Sequence, residues 1–138
     1  MTSLYMLDTN TVSYIVKRQS PEARRRLFAL QSGEIASISA ITEAEIRYGI
    51  AKKPEASALK SLIDAFLASI QVLPWGRNEA EVYGRVRATQ ERRGISLANM
   101  DMLIAAHAIA AEAVLVTNDK VFAQINELSA TVNWATDL

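Results

Sequence analysis

The feature that most constrains this chain is a pair of short apolar runs that each stop at an acid. Leu4-Tyr5-Met6-Leu7 runs into Asp8, and Val114-Leu115-Val116-Thr117 runs into Asn118-Asp119. Runs this short, bounded by polar residues, read as buried strands rather than helices. Asp8-Thr9-Asn10-Thr11 then offers helix-capping side chains, and Val12, Ile15 and Val16 follow at helical spacing. Asp8 therefore stands where a strand ends and a helix begins.

The same alternation continues along the chain. Pro21 opens a helix carrying Ala23, Leu27 and Leu30 on one side. Ile35–Ser39 alternates as a strand, and Ser39 or Thr42 caps a helix running to about Lys52. Ala56–Ile70 is helical by periodicity, and Gln71-Val72-Leu73 makes a short strand before Pro74. Asn78 is placed to cap a helix that ends at Arg93-Gly94, and Ser96 or Asn99 to cap an apolar helix reaching Ala113. A short helix near Val121–Ile125 and a strand near Thr131–Trp134 close the chain. Strands separated by helices imply an α/β fold, a mostly parallel sheet of about five short strands with helices on both faces. Sites in such sheets lie beyond the carboxyl ends of the strands.

With 138 residues, half of them hydrophobic, the chain reads as one domain, 1–138. The absence of cysteine removes disulfides, thiolate zinc sites and cysteine nucleophiles, and the lone His107 excludes a histidine-rich metal site. Fifteen basic and fifteen acidic residues balance, so bulk charge does not announce a nucleic-acid binder. Arg24–Arg26 and the set Arg85, Arg87, Arg92, Arg93 read as solvated helix faces. The N-terminus lacks a signal-peptide pattern and no run spans a bilayer, so the expected compartment is the cytoplasm, with no membrane partner.

Most of the acids have a surface role. Glu43 and Arg47 form an i,i+4 helix pair, and Asp64 lies in an amphipathic helix. Four acids resist that treatment. Asp8 and Asp119 both follow apolar strands, where the plain alternative is a cap or turn. Glu45 borders an apolar stripe, and Gly49 one turn on leaves space above its carboxylate. Asp101 opens an almost wholly apolar helix, a position the helix dipole explains for an exposed acid but less well for one on a buried helix. Gathered at one sheet edge, such carboxylates raise one another's pKa and demand a cation. Hard oxygen donors suit Mg²⁺ or Mn²⁺, and carboxylate-held metals hydrolyse phosphodiesters without a histidine base.

Met6-Leu7-Asp8-Thr9-Asn10, Ser39–Gly49 with its Glu45-Ile46-Arg47-Tyr48-Gly49, Asn99–Ala108 around Asp101, and Leu115–Asp119 together resemble the PIN-domain family, within it the VapC-type toxin ribonucleases of bacterial toxin–antitoxin pairs. The motifs occur in family order over residues 6 to 119. The resemblance implies a PIN-like fold, with Asp8, Glu45, Asp101 and Asp119 as catalytic acids and metal ligands and with Asn10 and Thr117 in support. It also implies dependence on Mg²⁺, with Mn²⁺ as substitute, and cleavage of RNA, often tRNA. The implied partners are a VapB-type antitoxin and a second copy of the chain, with operator DNA contacted only through the antitoxin. One departure is Asn99-Met100-Asp101, where many relatives place Asn directly before Asp. His107 is expected to pack or hydrogen-bond rather than catalyse.

Two other readings compete. Asp8-Thr9-Asn10-Thr11-Val12 resembles the Asp-x-Asp-x-Thr signature of haloacid-dehalogenase-type phosphatases, but Asn10 removes that family's general acid. A binding module that kept the fold without catalysis would not need all four acids.

Overall fold

The computed structural model describes residues 3–138. Five strands form one sheet: β1 (Ser3–Leu7), β2 (Glu34–Ser39), β3 (Gln71–Leu73), β4 (Val114–Val116) and β5 (Thr131–Val132). Six α-helices connect them: α1 (Thr9–Val16), α2 (Pro21–Phe28), α3 (Ala40–Ala51), α4 (Ser57–Ser69), α5 (Arg77–Arg92) and α6 (Asn99–Ala110). A 3₁₀ turn covers Lys120–Gln124. Strand order is β3-β2-β1-β4-β5, with every neighbouring pair parallel.

The alternation of side chains along the strands divides the core. Met6 and Leu115 point to one face, where Met102, Ala105 and Ala108 of α6, Val86 of α5 and Phe122 cover them. Leu7 and Val116, the next residues, point to the other, under Val12 and Ile15 of α1, Ile63 of α4 and Trp134. Both faces of the central strands are therefore dry, which is why β1 and β4 are continuous apolar runs rather than alternating ones. Full burial of Met6 and Leu7 contributes roughly 2–3 kcal/mol each.

The chain lays β1, β2 and β3 outward in one direction and then returns to place β4 and β5 on the other side of β1. The reversal lies between β1 and β4. There the connections at the strands' carboxyl ends diverge and leave a crevice. Asp8 follows β1 directly, and Thr117-Asn118-Asp119 follows β4.

Two helix starts differ from the sequence expectation. Gly76, not Asn78, caps α5: the Glu79 side chain reaches back to accept the Gly76 N–H at 2.7 Å. Ala98, not Ser96 or Asn99, precedes α6, and no side chain caps that helix. α6 also stops at Ala110, three residues short of the expected Ala113, because the chain turns through Glu112 at φ +54° to enter β4. Ser39 caps α3 through the Ile41 N–H at 3.0 Å, and Gly94, at φ +73°, stops α5 in the left-handed region that favours glycine. Among the described residues no helix is long and apolar enough to cross a membrane.

Candidate active site

Asp8 is buried and plays two parts. As N-cap of α1, its Oδ1 accepts the Thr11 N–H at 2.8 Å, so the plain capping role is real. Burial pushes its pKa up, hydrogen bonds from Thr117 and Thr11 pull it down, and the charge of Asp119 pushes it up again. Thr117 stands between two acids: its hydroxyl accepts the Asp119 N–H at 3.0 Å and is near enough to the Asp8 carboxylate to lower its pKa.

Asp101 occupies the first turn of α6, half-buried. Burial raises its pKa first, followed by the negative charges of Asp119, Glu45 and Asp8, with no cation offsetting them. Asp101 is thus within electrostatic range of the other three acids, although the four lie on four separate chain segments between residues 8 and 119. No hydrogen bond lowers the Asp101 pKa, in contrast to Asp8.

Glu45 sits on α3, two turns below the Ser39 cap. Its Oε1 accepts the Thr9 hydroxyl at 2.6 Å, and Thr42 Oγ1 stands 3.4 Å from that hydroxyl. Its rival Glu43 is committed to Arg47 at 2.7 Å on the surface. The space expected above Glu45 is present: a Cβ added at Gly49 would meet nothing within 4 Å. Asp119 is exposed, and its Oδ1 caps the 3₁₀ turn through the Val121 N–H at 3.0 Å.

The supporting residues divide. Thr117 makes the contacts just described. Asn10 is exposed on the first turn of α1 and makes no side-chain hydrogen bond among those of the described residues. Sequence reasoning missed Thr9, which holds Glu45; a threonine following a strand-end acid carries no signal of a partner on a helix 36 residues away. His107 is buried, its Nδ1 lies 2.6 Å from Ser39 Oγ, and its ring stands edge-on to Trp75 at 5.5 Å, so it packs and hydrogen-bonds as expected.

The donor set is chemically suited to a hard divalent cation: four carboxylates, hydroxyls around them, and mutual repulsion with no positive charge to relieve it. Among the described residues no three of these acids converge tightly enough to ligate one ion as they stand. Asp8, Glu45 and Asp119 are each engaged in a local hydrogen bond, to the Thr11 N–H, the Thr9 hydroxyl and the Val121 N–H.

The arginine clusters lie elsewhere and are largely occupied. Arg25 pairs with Glu22, Arg85 with Glu127 and Arg87 with Glu91, while Arg24 and Arg26 lie over the rings of Phe28 and Trp134.

The PIN domain family model matches residues 5–128, which includes all four acids. The chain belongs to the PIN-domain family. Among characterised relatives, this PIN protein is 35% identical over 132 residues to Ribonuclease VapC2 of Rickettsia felis, covering 95% of this chain and 98% of the relative. It is 33% identical over 115 residues to the tRNA(fMet)-specific endonuclease VapC of Salmonella typhimurium, covering 83% and 86%. The fold superposes on VapBC2 from Rickettsia felis bound to a promoter DNA fragment with a TM-score of 0.88 at 34% identity, covering 95% of this chain and 98% of that one. Similarity to DNA-bound VapBC from Salmonella typhimurium gives a TM-score of 0.87 at 30% identity, covering 97% and 99%. Within the PIN family the chain is thus of the VapC type.

Proposed function

We propose that this chain, as one PIN domain over residues 1–138, is a cytoplasmic endoribonuclease toxin that requires Mg²⁺ or Mn²⁺, cuts RNA of the tRNA class and is neutralised by a VapB-type antitoxin. Asp8, Glu45, Asp101 and Asp119 would hold the cation. The observation that carries the reading is Asp101: a half-buried carboxylate whose pKa is raised first by burial and then by the charges of three other acids, with no cation to offset them. Such a cluster destabilises the fold unless a cation relieves it. The family match and the VapC relatives support RNA cleavage as its role. Operator DNA, contacted only through the antitoxin, belongs to the same reading, by analogy with the DNA-bound VapBC complexes; pairing with a second copy of the chain rests on the family resemblance alone.

A bound cation supplies activation of water and neutralisation of charge on the scissile phosphate. The residues supply position. Thr117 stands between Asp8 and Asp119, Thr11 fixes Asp8 from the helix side, and Thr9 orients Glu45. No histidine takes part, since His107 is buried against Ser39 and Trp75.

The test is cleavage of labelled RNA with Mg²⁺, with Mn²⁺ and with chelator. Asp8→Asn and Asp101→Asn should each abolish cleavage while circular dichroism shows a folded protein, and Asp8→Asn should relieve growth arrest when the chain is expressed alone. Undiminished cleavage by either variant refutes the assignment. Sequencing of RNA ends after induction identifies the target.

A further inference from the structure

Beside Glu45 the surface opens into a groove of about 270 Å³, near the lower end of small-ligand pockets, roughly 300 Å³. Its floor is apolar, built from Val12 and Val16 of α1, Ile46 and Ile50 of α3 and Leu59 and Ile63 of α4. Its rim is basic: Lys17, Lys52 and Lys53 line it, three of the chain's five lysines. Thr9 and Glu45 belong both to this groove and to the acidic cluster, so the two are continuous.

The three lysines share one groove and carry no carboxylate partner among the described residues. Arg25, Arg47, Lys60, Arg85 and Arg87 are held by carboxylates, whereas none of the ion pairs among the described residues uses Lys17, Lys52 or Lys53. Lys52 rests instead over the exposed ring of Tyr48, at 4.7 Å. A plain account exists for part of this: Lys17 and Lys52 are the C-cap residues of α1 and α3, where the helix dipole favours a positive charge. That account does not explain why both helix ends, together with Lys53, open on one cavity next to the acids.

We propose that this groove is the track for the single-stranded RNA segment adjoining the scissile phosphate, with Lys17, Lys52 and Lys53 contacting its phosphates and the apolar floor receiving a sugar or base face. The proposal rests on the ribonuclease reading. The chemistry requires it in one respect. A polyanion must approach four carboxylates, and the arginines that could offset that repulsion are largely occupied elsewhere. Unpaired lysines beside Glu45 supply the local positive potential that the neutral net charge withholds. Gly49, with open space where a side chain would begin, keeps the passage between groove and acids clear.

The experiment is fluorescence anisotropy of a labelled single-stranded RNA oligonucleotide titrated with the full chain at several salt concentrations. The wild type is compared with the Lys17→Ala/Lys52→Ala/Lys53→Ala variant and with the triple Lys→Arg variant, and cleavage is assayed in parallel. Loss of three phosphate contacts should weaken binding at least ten-fold at low salt and flatten the log Kd against log salt slope by about 2. The arginine variant should keep the wild-type slope, which separates charge from packing. Unchanged affinity and slope in the alanine variant overturn the proposal and leave the nuclease reading standing. Lysine-dependent RNA binding without cleavage in any divalent cation would instead remove the nuclease reading and leave the groove in place.

Discussion

The bond between His107 and Ser39 should be worth measuring because it ties together the two helices that carry Glu45 and Asp101. Ser39 closes β2 and caps α3, six residues before Glu45, and His107 lies six residues after Asp101 on α6. Burial lowers the His107 pKa, so the ring is neutral. Ser39 Oγ already accepts the Ile41 N–H, and its hydroxyl proton has no other acceptor among the described residues, so it goes to His107 Nδ1. His107→Phe keeps a ring edge against Trp75 but loses a net hydrogen bond of about 1 kcal/mol. It also leaves the fully buried Ser39 hydroxyl unsatisfied at a further cost of about 1–3 kcal/mol. A destabilisation of about 2–4 kcal/mol is expected, which for a chain of this length lowers Tm by roughly 6–16 °C.

Ser39→Ala removes the cap, at about 1 kcal/mol, and strands Nδ1 in turn. The double variant removes both partners at once, so it should cost about 1–2 kcal/mol less than the two single costs added. Urea denaturation of the four proteins measures this directly. Turnover should fall in the single variants more than KM rises, because the spacing of Glu45 and Asp101 is what loosens. Additivity within roughly 0.5 kcal/mol would refute the coupling and reduce the contact to coincidental packing.

Three further outcomes follow from the geometry. Both Asp8 and Asp101 have raised pKa values in the fold, so the native state holds protons more tightly than the unfolded chain, and metal-free stability should fall as pH rises from the ordinary carboxylate range through the raised values. Thermal scans in chelator should show higher Tm near about pH 5 than at about pH 7, Asp101→Asn should flatten that difference, and added Mg²⁺ should abolish it. Glu45→Gln should lose cleavage by about 100-fold or more, whereas Glu43→Gln, which breaks only an exposed pair with Arg47, should change stability by less than about 0.5 kcal/mol and leave cleavage intact. Gly49→Ala lies inside α3 with no atom near its new methyl, so denaturation should report a gain of about 0.5–1 kcal/mol.

The parts of this molecule legible in its sequence are those written in local pattern. β1 and β4 declare themselves because both faces of the sheet are covered, which makes them unbroken apolar runs that end sharply at Asp8 and Thr117. Glu45 could be separated from Glu43 because an i,i+4 arginine accounts for the latter. What escaped was set by distance or by missing chemistry. Gly76 and Ala98 offer no capping side chain, so only Glu79 reaching back marks the start of α5, and nothing marks the start of α6. The Thr9–Glu45 and Ser39–His107 bonds join residues 36 and 68 positions apart, and no periodicity records such pairs. Asn10, placed by motif in a supporting role, is exposed beside the buried Asp8 and shows no partner of its own among the described residues.

The unequal fastening of the four acids says how the cluster would respond to a cation. Asp8 is held by Thr11, Glu45 by Thr9, and Asp119 by Val121, so each carboxylate keeps a hydrogen bond that stabilises its charge without a metal. Asp101 has no such relief and feels the charge of the other three. The charge of Asp101 is therefore the one left without a hydrogen bond, and its removal should weaken the ion most. Glu45 and Asp119 are different: to reach the ion each must share or give up a bond worth about 1 kcal/mol or more. An exposed capping carboxylate such as Asp119 can keep that bond and act on the ion through water, while Asp8, buried where β1 meets α1 and bonded to the Thr11 N–H, must meet the ion from a fixed position.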